Sequence, residues 1–173
     1  MSFIPPFNLH KWIAEHQDKL RPPVCNQQVF EDGDFIIMVV GGPNQRQDYH
    51  DDPGEEFFYQ LKGDMILRVM TEGKPKEVRI KEGDVFLLPA HIHHSPQRFA
   101  DTLGIVIERK RRPDEYDSFL WYCEHCHQQL HRATAKINNI VEDLPILFKA
   151  FLDDKEQHTC QHCHHTTTFN ASL

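Results

Sequence analysis

The chain has 173 residues, 39% hydrophobic and 26% charged, which suits one compact domain with an appendage and leaves no room for two full-sized domains. A formal charge of −7 gives no electrostatic footprint for nucleic acid or an anionic membrane surface, and the longest apolar run, Phe35 to Val40, falls far short of the about 20 residues a spanning helix needs. With no basic stretch followed by an apolar core at its start, the expected setting is the cytosol and the expected partner a small solute.

Asn8 to Leu20 reads as a short helix: Asn8 caps it, Leu9, Trp12, Ile13 and His16 recur at helical spacing, and Arg21-Pro22-Pro23 stops it. From about residue 27 to 110 the pattern changes to short apolar or alternating runs, at Phe35 to Val40, Glu56 to Leu61, Met65 to Met70, Glu77 to Ile80, Asp84 to Leu88 and Gly104 to Glu108. Turn chemistry separates them, as in Lys62-Gly63-Asp64, Glu72-Gly73-Lys74-Pro75 and Lys81-Glu82-Gly83-Asp84. Many short strands with no helical stretch among them predict an antiparallel sandwich or barrel. After Arg109-Lys110-Arg111-Arg112-Pro113 the composition shifts, so the expected division is a strand domain with its N-terminal helix over 1–112 and an extension over 113–173. Within the extension Asp143-Leu144-Pro145 can start a helix whose face of Leu144, Leu147, Phe148, Phe151 and Leu152 should pack on the strand domain. The last ten residues, His164 to Leu173, show no periodicity and are expected to lack fixed structure.

Thirteen His and five Cys are present, and both types are grouped. His50 stands just before a predicted strand, Glu56 opens that strand, and His94 follows another. Two imidazoles and a carboxylate form the facial triad of non-haem Fe(II) oxygenases, whose open positions admit substrate and O2 together. Zn(II) or Ni(II) would accept these ligands without activating O2 in that way. Cys123-x-x-Cys126 and Cys160-x-x-Cys163 supply four thiolates for a tetrahedral Zn or rubredoxin-like Fe site, a closed and therefore structural arrangement. Rubredoxin knuckles usually carry Gly after the second Cys, where this chain has His127 and His164, so Fe and Zn both stay open, with a His replacing one Cys ligand as a minor variant.

Gly42-x7-His50-x-Asp52-x3-Glu56-x6-Gly63 with Gly83-x5-Pro89-x-His91-x2-His94 resembles the two motifs of the cupin superfamily. Asp52 stands in place of the first motif's second His, His91 in place of a glycine and Arg98 in place of the closing Asn. More narrowly, Pro43-Asn44-x-Arg46-x-Asp48-Tyr49-His50-x-Asp52-x2-Glu55-Glu56-x-Phe58-Tyr59-Gln60 and Pro89-x-His91-x2-His94-Ser95-Pro96-Gln97-Arg98 resemble the 3-hydroxyanthranilate 3,4-dioxygenase family. The two CxxC pairs after Trp121-Tyr122 resemble its bacterial form.

This resemblance implies a mainly β, double-stranded β-helix fold and an Fe(II)-dependent extradiol-type cleavage of 3-hydroxyanthranilate by O2. It implies His50, Glu56 and His94 as ligands of the catalytic iron, with Glu56 also beside the substrate. Arg46 and Arg98 are suited to the substrate carboxylate, and Glu108 to the substrate amine and to proton transfer. It also implies a homodimer. A cupin that only binds or senses a small aromatic carboxylate is the rival reading, and a docking or electron-carrying role for the CxxC module is a third. His91 and His93 read as outer or surface imidazoles, Asp48 and Asn26 as loop residues that either line the pocket or serve an ordinary turn, and Cys25 as a packed thiol.

Overall fold

The structure, a computed structural model, describes residues 4–22, 25–137 and 140–169, and for 140–142 the backbone alone. Two antiparallel sheets face each other. The first runs in the order β1 (Asn26–Gln28), β2 (Phe35–Gly41), β10 (Leu103–Arg109), β5 (Glu56–Lys62), β8 (Val85–Leu88). The second runs β12 (Gln129–Ala135), β11 (Asp117–Tyr122), β4 (Tyr49–Asp51), β9 (His94–Arg98), β6 (Met65–Thr71), β7 (Lys74–Ile80), with β3 (Asn44–Gln45) pairing β9. From β4 to β10 the chain crosses between the sheets at each step apart from the β6–β7 hairpin, which is the winding of a double-stranded β-helix. The fold is mainly β, as expected.

All six strands read from the sequence form, because their alternation matches a sheet with one buried face. In β5, Glu56, Phe58 and Gln60 are buried while Phe57, Tyr59 and Leu61 are partly exposed. Phe58, Met65, Leu67, Val69, Ile80, Leu88 and Val106 form the barrel core. Gly63 and Gly83 turn the chain at φ of +63° and +86°, a region costly for side chains with a Cβ. On the outer face of the first sheet Phe35, Val85 and Leu87 are exposed. Phe35 and Leu87 border a depression of about 330 Å³ also lined by Phe57, Ile107 and Arg109.

Helix α1 covers Leu9–Glu15, and the Asn8 side chain accepts from the Lys11 N–H at 3.0 Å. It ends short of the expected Leu20 because the His16 ring Nδ1 takes the Trp12 carbonyl at 2.8 Å, while the His16 backbone N–H bonds Ile13, three residues back. The segment beyond still serves the same apolar contact, with Leu20 and Ile13 buried on Val39 of β2. Helix α2 covers Ile140–Asp153 and lays Phe148 and Phe151 on Phe119 and Trp121 of β11. Burying a ring such as Phe151, 1% exposed, is worth about 1.5–3 kcal/mol. The expectation of an unstructured tail fails through Phe169, whose ring packs 5.0 Å from both Phe151 and His158. One aromatic anchor there outweighs the lack of periodicity. Residues 170–173 lie outside the described residues.

Candidate metal and active site

Three rungs of side chains line the inside of the first sheet, because β2, β10 and β5 pair in register. Ile36, Glu108 and Glu56 form the first, Met38, Val106 and Phe58 the second, Val40, Gly104 and Gln60 the third. Across the barrel, β4 and β9 set His50 opposite His94 as direct partners. Glu56 meets both rings: its Oε1 lies 2.9 Å from His94 Nε2 and 3.4 Å from His50 Nδ1. The structure thus joins His50, Glu56 and His94, with all ligand atoms within 4.8 Å of one another.

The other nitrogen of each ring is already committed. His94 Nδ1 donates to the Ile92 carbonyl at 2.9 Å, and His50 Nε2 to Asp117 Oδ1 at 2.8 Å. A carbonyl and an ionised carboxylate only accept, so the inner nitrogens present lone pairs to a buried carboxylate oxygen that has no hydrogen-bond partner of its own. Such a convergence requires a positive charge at its centre, a proton or a metal ion. The donor set of two imidazoles and a carboxylate fits Fe(II). Burial opposes charge on His50, but the Asp117 and Glu56 carboxylates outweigh it and raise its pKa to about 10. Burial likewise opposes ionisation of Glu56, and the two imidazoles hold it well below the usual range.

Arg98 shares β9 with His94, and is 2% exposed. Its Nη1 donates to Gln60 Oε1 at 3.1 Å, and among the described residues no carboxylate pairs with it. Burial lowers its pKa to about 10, which leaves it cationic at neutral pH. Gly104 permits this placement, since a Cβ there would stand 2.6 Å from Gln60 Oε1 and 2.7 Å from Arg98 Nη1.

Glu108 is buried as the direct cross-strand partner of Glu56, and its Oε2 accepts from Arg111 Nη2 at 3.0 Å. The same guanidinium reaches Asp117, by Nε at 2.9 Å and Nη2 at 2.6 Å, and lies 2.7 Å from Asp52 Oδ2. Burial, followed by the neighbouring Glu108 and Glu56 carboxylates, raises Asp52 to about 9. Arg46 stands at the rim. It forks onto Asp48 and lies 6.0 Å and 5.8 Å from the Phe119 and Phe148 ring centres. Asp48 is thus the Arg46 counter-ion, and Asn26 lies in β1. His91 and His93 turn to the opposite face of β4, where His91 Nδ1 meets Asp51 at 2.9 Å and His93 Nδ1 meets the Tyr122 hydroxyl at 2.6 Å. Cys25 is buried, with burial raising its thiol. Arg111 and Asp117 escape sequence reading, and Gln60 appears there only as a motif residue without a role. Asp52 carries a signal there, standing at a motif position usually held by His.

The four cysteines converge in the extension, with Sγ–Sγ distances of 3.6 Å for Cys123–Cys163 and 3.5 Å for Cys126–Cys160. Two matching knuckles hold them. His127 N–H bonds the Cys123 carbonyl at 2.9 Å and His164 N–H the Cys160 carbonyl at 2.8 Å, both His at φ of 60°. The left-handed turn that glycine would take freely is therefore made by histidine, at a cost of about 1 kcal/mol each. Cys160 is lowered to about 7, chiefly by the Cys163 backbone N–H.

A family model described as 3-hydroxyanthranilic acid dioxygenase matches residues 1–152. Curated relatives named 3-hydroxyanthranilate 3,4-dioxygenase share about half their residues with this chain. The protein from Burkholderia cenocepacia is 52% identical over 164 residues, covering 94% of this chain and 93% of its own length. That from Paraburkholderia phytofirmans is 51% identical over 95% of each, and that from Ruegeria pomeroyi 51% identical over 94% of this chain and 91% of its own.

Proposed function

The chain belongs to the 3-hydroxyanthranilic acid dioxygenase family, and from that premise we propose that it opens the ring of 3-hydroxyanthranilate with O2. The product is 2-amino-3-carboxymuconate semialdehyde, which closes without an enzyme to quinolinate, a precursor of NAD. One observation supports this reading above the rest. A single barrel interior holds three side chains that could ligate a metal ion and, two rungs further along, a buried guanidinium with no carboxylate partner among the described residues.

We assign Fe(II) to His50, Glu56 and His94, where it would supply vacant coordination positions and the redox chemistry that O2 needs. Arg98 binds the substrate carboxylate through charge-assisted hydrogen bonds, with Gln60 fixing its plane. Arg46 is the second donor, exchanging Asp48 for substrate. The ring lies along Phe58, Val106 and Met38, an apolar rung that excludes water from the reacting end. Glu108 accepts from the substrate amine and holds or moves a proton at its carboxylate, with Glu56 beside it. The four thiolates take Fe or Zn and leave no open position for chemistry, so that site is structural. A homodimer in the cytosol completes the proposal; among the described residues no helix is long and apolar enough to cross a membrane.

Oxygen uptake with absorbance scanning tests it, on protein reconstituted anaerobically with Fe(II) and then given 3-hydroxyanthranilate in air. Oxygen should fall one-for-one with substrate while a transient absorbance rises and decays. No uptake by protein verified to hold iron would overturn the substrate assignment.

A further inference from the structure

The His50 ring is held from one strand. Phe119 of β11 is its direct cross-strand partner and stacks on it, ring centres 5.0 Å apart and planes 7° from parallel. Two residues earlier on the same face, Asp117 takes its Nε2–H at 2.8 Å. Stacking leaves the imidazole free to turn in its own plane, and the carboxylate removes that freedom. It also decides the tautomer, because an ionised Asp117 can only accept.

Asp117 is in turn immobilised. It is 2% exposed, and Arg111 grips it through Nε at 2.9 and 3.0 Å to the two oxygens and through Nη2 at 2.6 Å. Arg111 Nη2 also lies 2.7 Å from Asp52 and 3.0 Å from Glu108. One guanidinium therefore fixes the carboxylate behind a metal ligand and the carboxylate assigned to the substrate amine. His94, by contrast, gives its outer nitrogen to a backbone carbonyl, so the two imidazoles differ in what stands behind them.

We propose that Asp117, clamped by Arg111, is a positioning residue that orients His50 and raises its basicity toward the catalytic metal. The proposal rests on the assignment of His50 as a ligand. A carboxylate behind a ligating imidazole commonly accounts for about 10–100-fold in metal affinity.

The test is a titration of the full chain, freed of exchangeable metal, with Fe(II) in anaerobic buffer against a colorimetric chelator. Asp117→Asn keeps an acceptor but loses the charge. It should bind Fe(II) about 10–100-fold more weakly, with an unchanged KM for substrate at saturating iron, whatever the loss of the charge paired with Arg111 does to its metal-free melting temperature. Parental iron affinity in folded Asp117→Asn would reduce the pair to a structural role and overturn the proposal. If Asp117→Asn does not fold, Arg111→Lys replaces it, since an ammonium cannot reproduce the planar fork; weakened iron binding supports the proposal and parental binding overturns it. His50→Ala separates the two levels. Undiminished iron binding in that variant sinks the ligand assignment itself, whereas its loss beside parental Asp117→Asn sinks only the positioning role.

Discussion

Replacing Gly104 by Ala isolates the role of Arg98 without touching its charge. The added Cβ would stand 2.6 Å from Gln60 Oε1 and 2.7 Å from Arg98 Nη1. Reaching ordinary contact near 3.4 Å requires the amide oxygen to retreat by about 0.8 Å and the guanidinium by about 0.7 Å. Both belong to one hydrogen bond of 3.1 Å, so neither can move without disturbing the other. Overpacking of this kind costs about 1–3 kcal/mol of stability, and a misplacement approaching 1 Å can cost about 100-fold in rate. Gly104→Ala should therefore fold with a lower melting temperature, keep its iron, and show kcat/KM reduced by about 10–100-fold, mostly through KM. A thermal melt reads the first quantity, and steady-state oxygen uptake at varied substrate, with iron quantified per chain, reads the other two. Parental KM in folded, iron-loaded Gly104→Ala would refute the placement of the substrate carboxylate at Arg98.

Three further outcomes follow from the same geometry. His94→Ala should release the catalytic iron and abolish oxygen uptake, checked by metal content and turnover together; undiminished turnover would end its assignment as a ligand. Arg98→Ala removes a charge-assisted pair worth about 1.5–3 kcal/mol, so KM should rise by about 10–100-fold with a smaller change in kcat. Glu115 is pulled down to about 2, first by its hydrogen bonds from Arg109, below the ordinary carboxylate value of about 4.3. That pair supports the fold above pH of about 4 and is lost as pH falls toward 2. Glu115→Gln should flatten this part of the acid-unfolding profile of the metal-free protein, and an unchanged profile would count against the pair.

Much of the barrel was legible because its strands alternate over a buried face, and the triad was legible from spacing around two of them. The supporting side chains were hidden for physical reasons. Tyr49-His50-Asp51 is too short and polar to announce a strand, and β9 contains Pro96 and mostly polar residues. Their strand character is imposed by neighbours, and their buried polar groups are tolerated because Glu56, Gln60 and Ile92 meet them. Asp117 opens a run, Asp-Ser-Phe-Leu-Trp-Tyr, buried on both faces except at its end, so no alternation shows which residue faces His50. That becomes visible only once β11 pairs with β4. The knuckle histidines mislead in the opposite direction, because a left-handed turn read as needing glycine is held instead by two backbone hydrogen bonds in each knuckle.

Strand β11 links the two proposed metal sites, beginning with Asp117 and ending one residue before Cys123. At about 3.3 Å per residue, roughly 20 Å separates the two positions. Three residue pairs hold β11 to β4, and a slip of one residue would turn Asp117 and Phe119 away from His50. Two constraints oppose such a slip. Phe119 and Trp121 are locked under Phe148 and Phe151, and Cys123 is fixed among the other three thiolates. Cys160→Ser removes only the second constraint. It should lose the thiolate-bound metal and melt lower by about 10 °C, yet bind Fe(II) at His50 within a few-fold of the parent, because the aromatic lock still sets the register. If its Fe(II) affinity instead drops as far as that of Asp117→Asn, the thiolate site, and not the packing of α2, holds β11 in phase with His50.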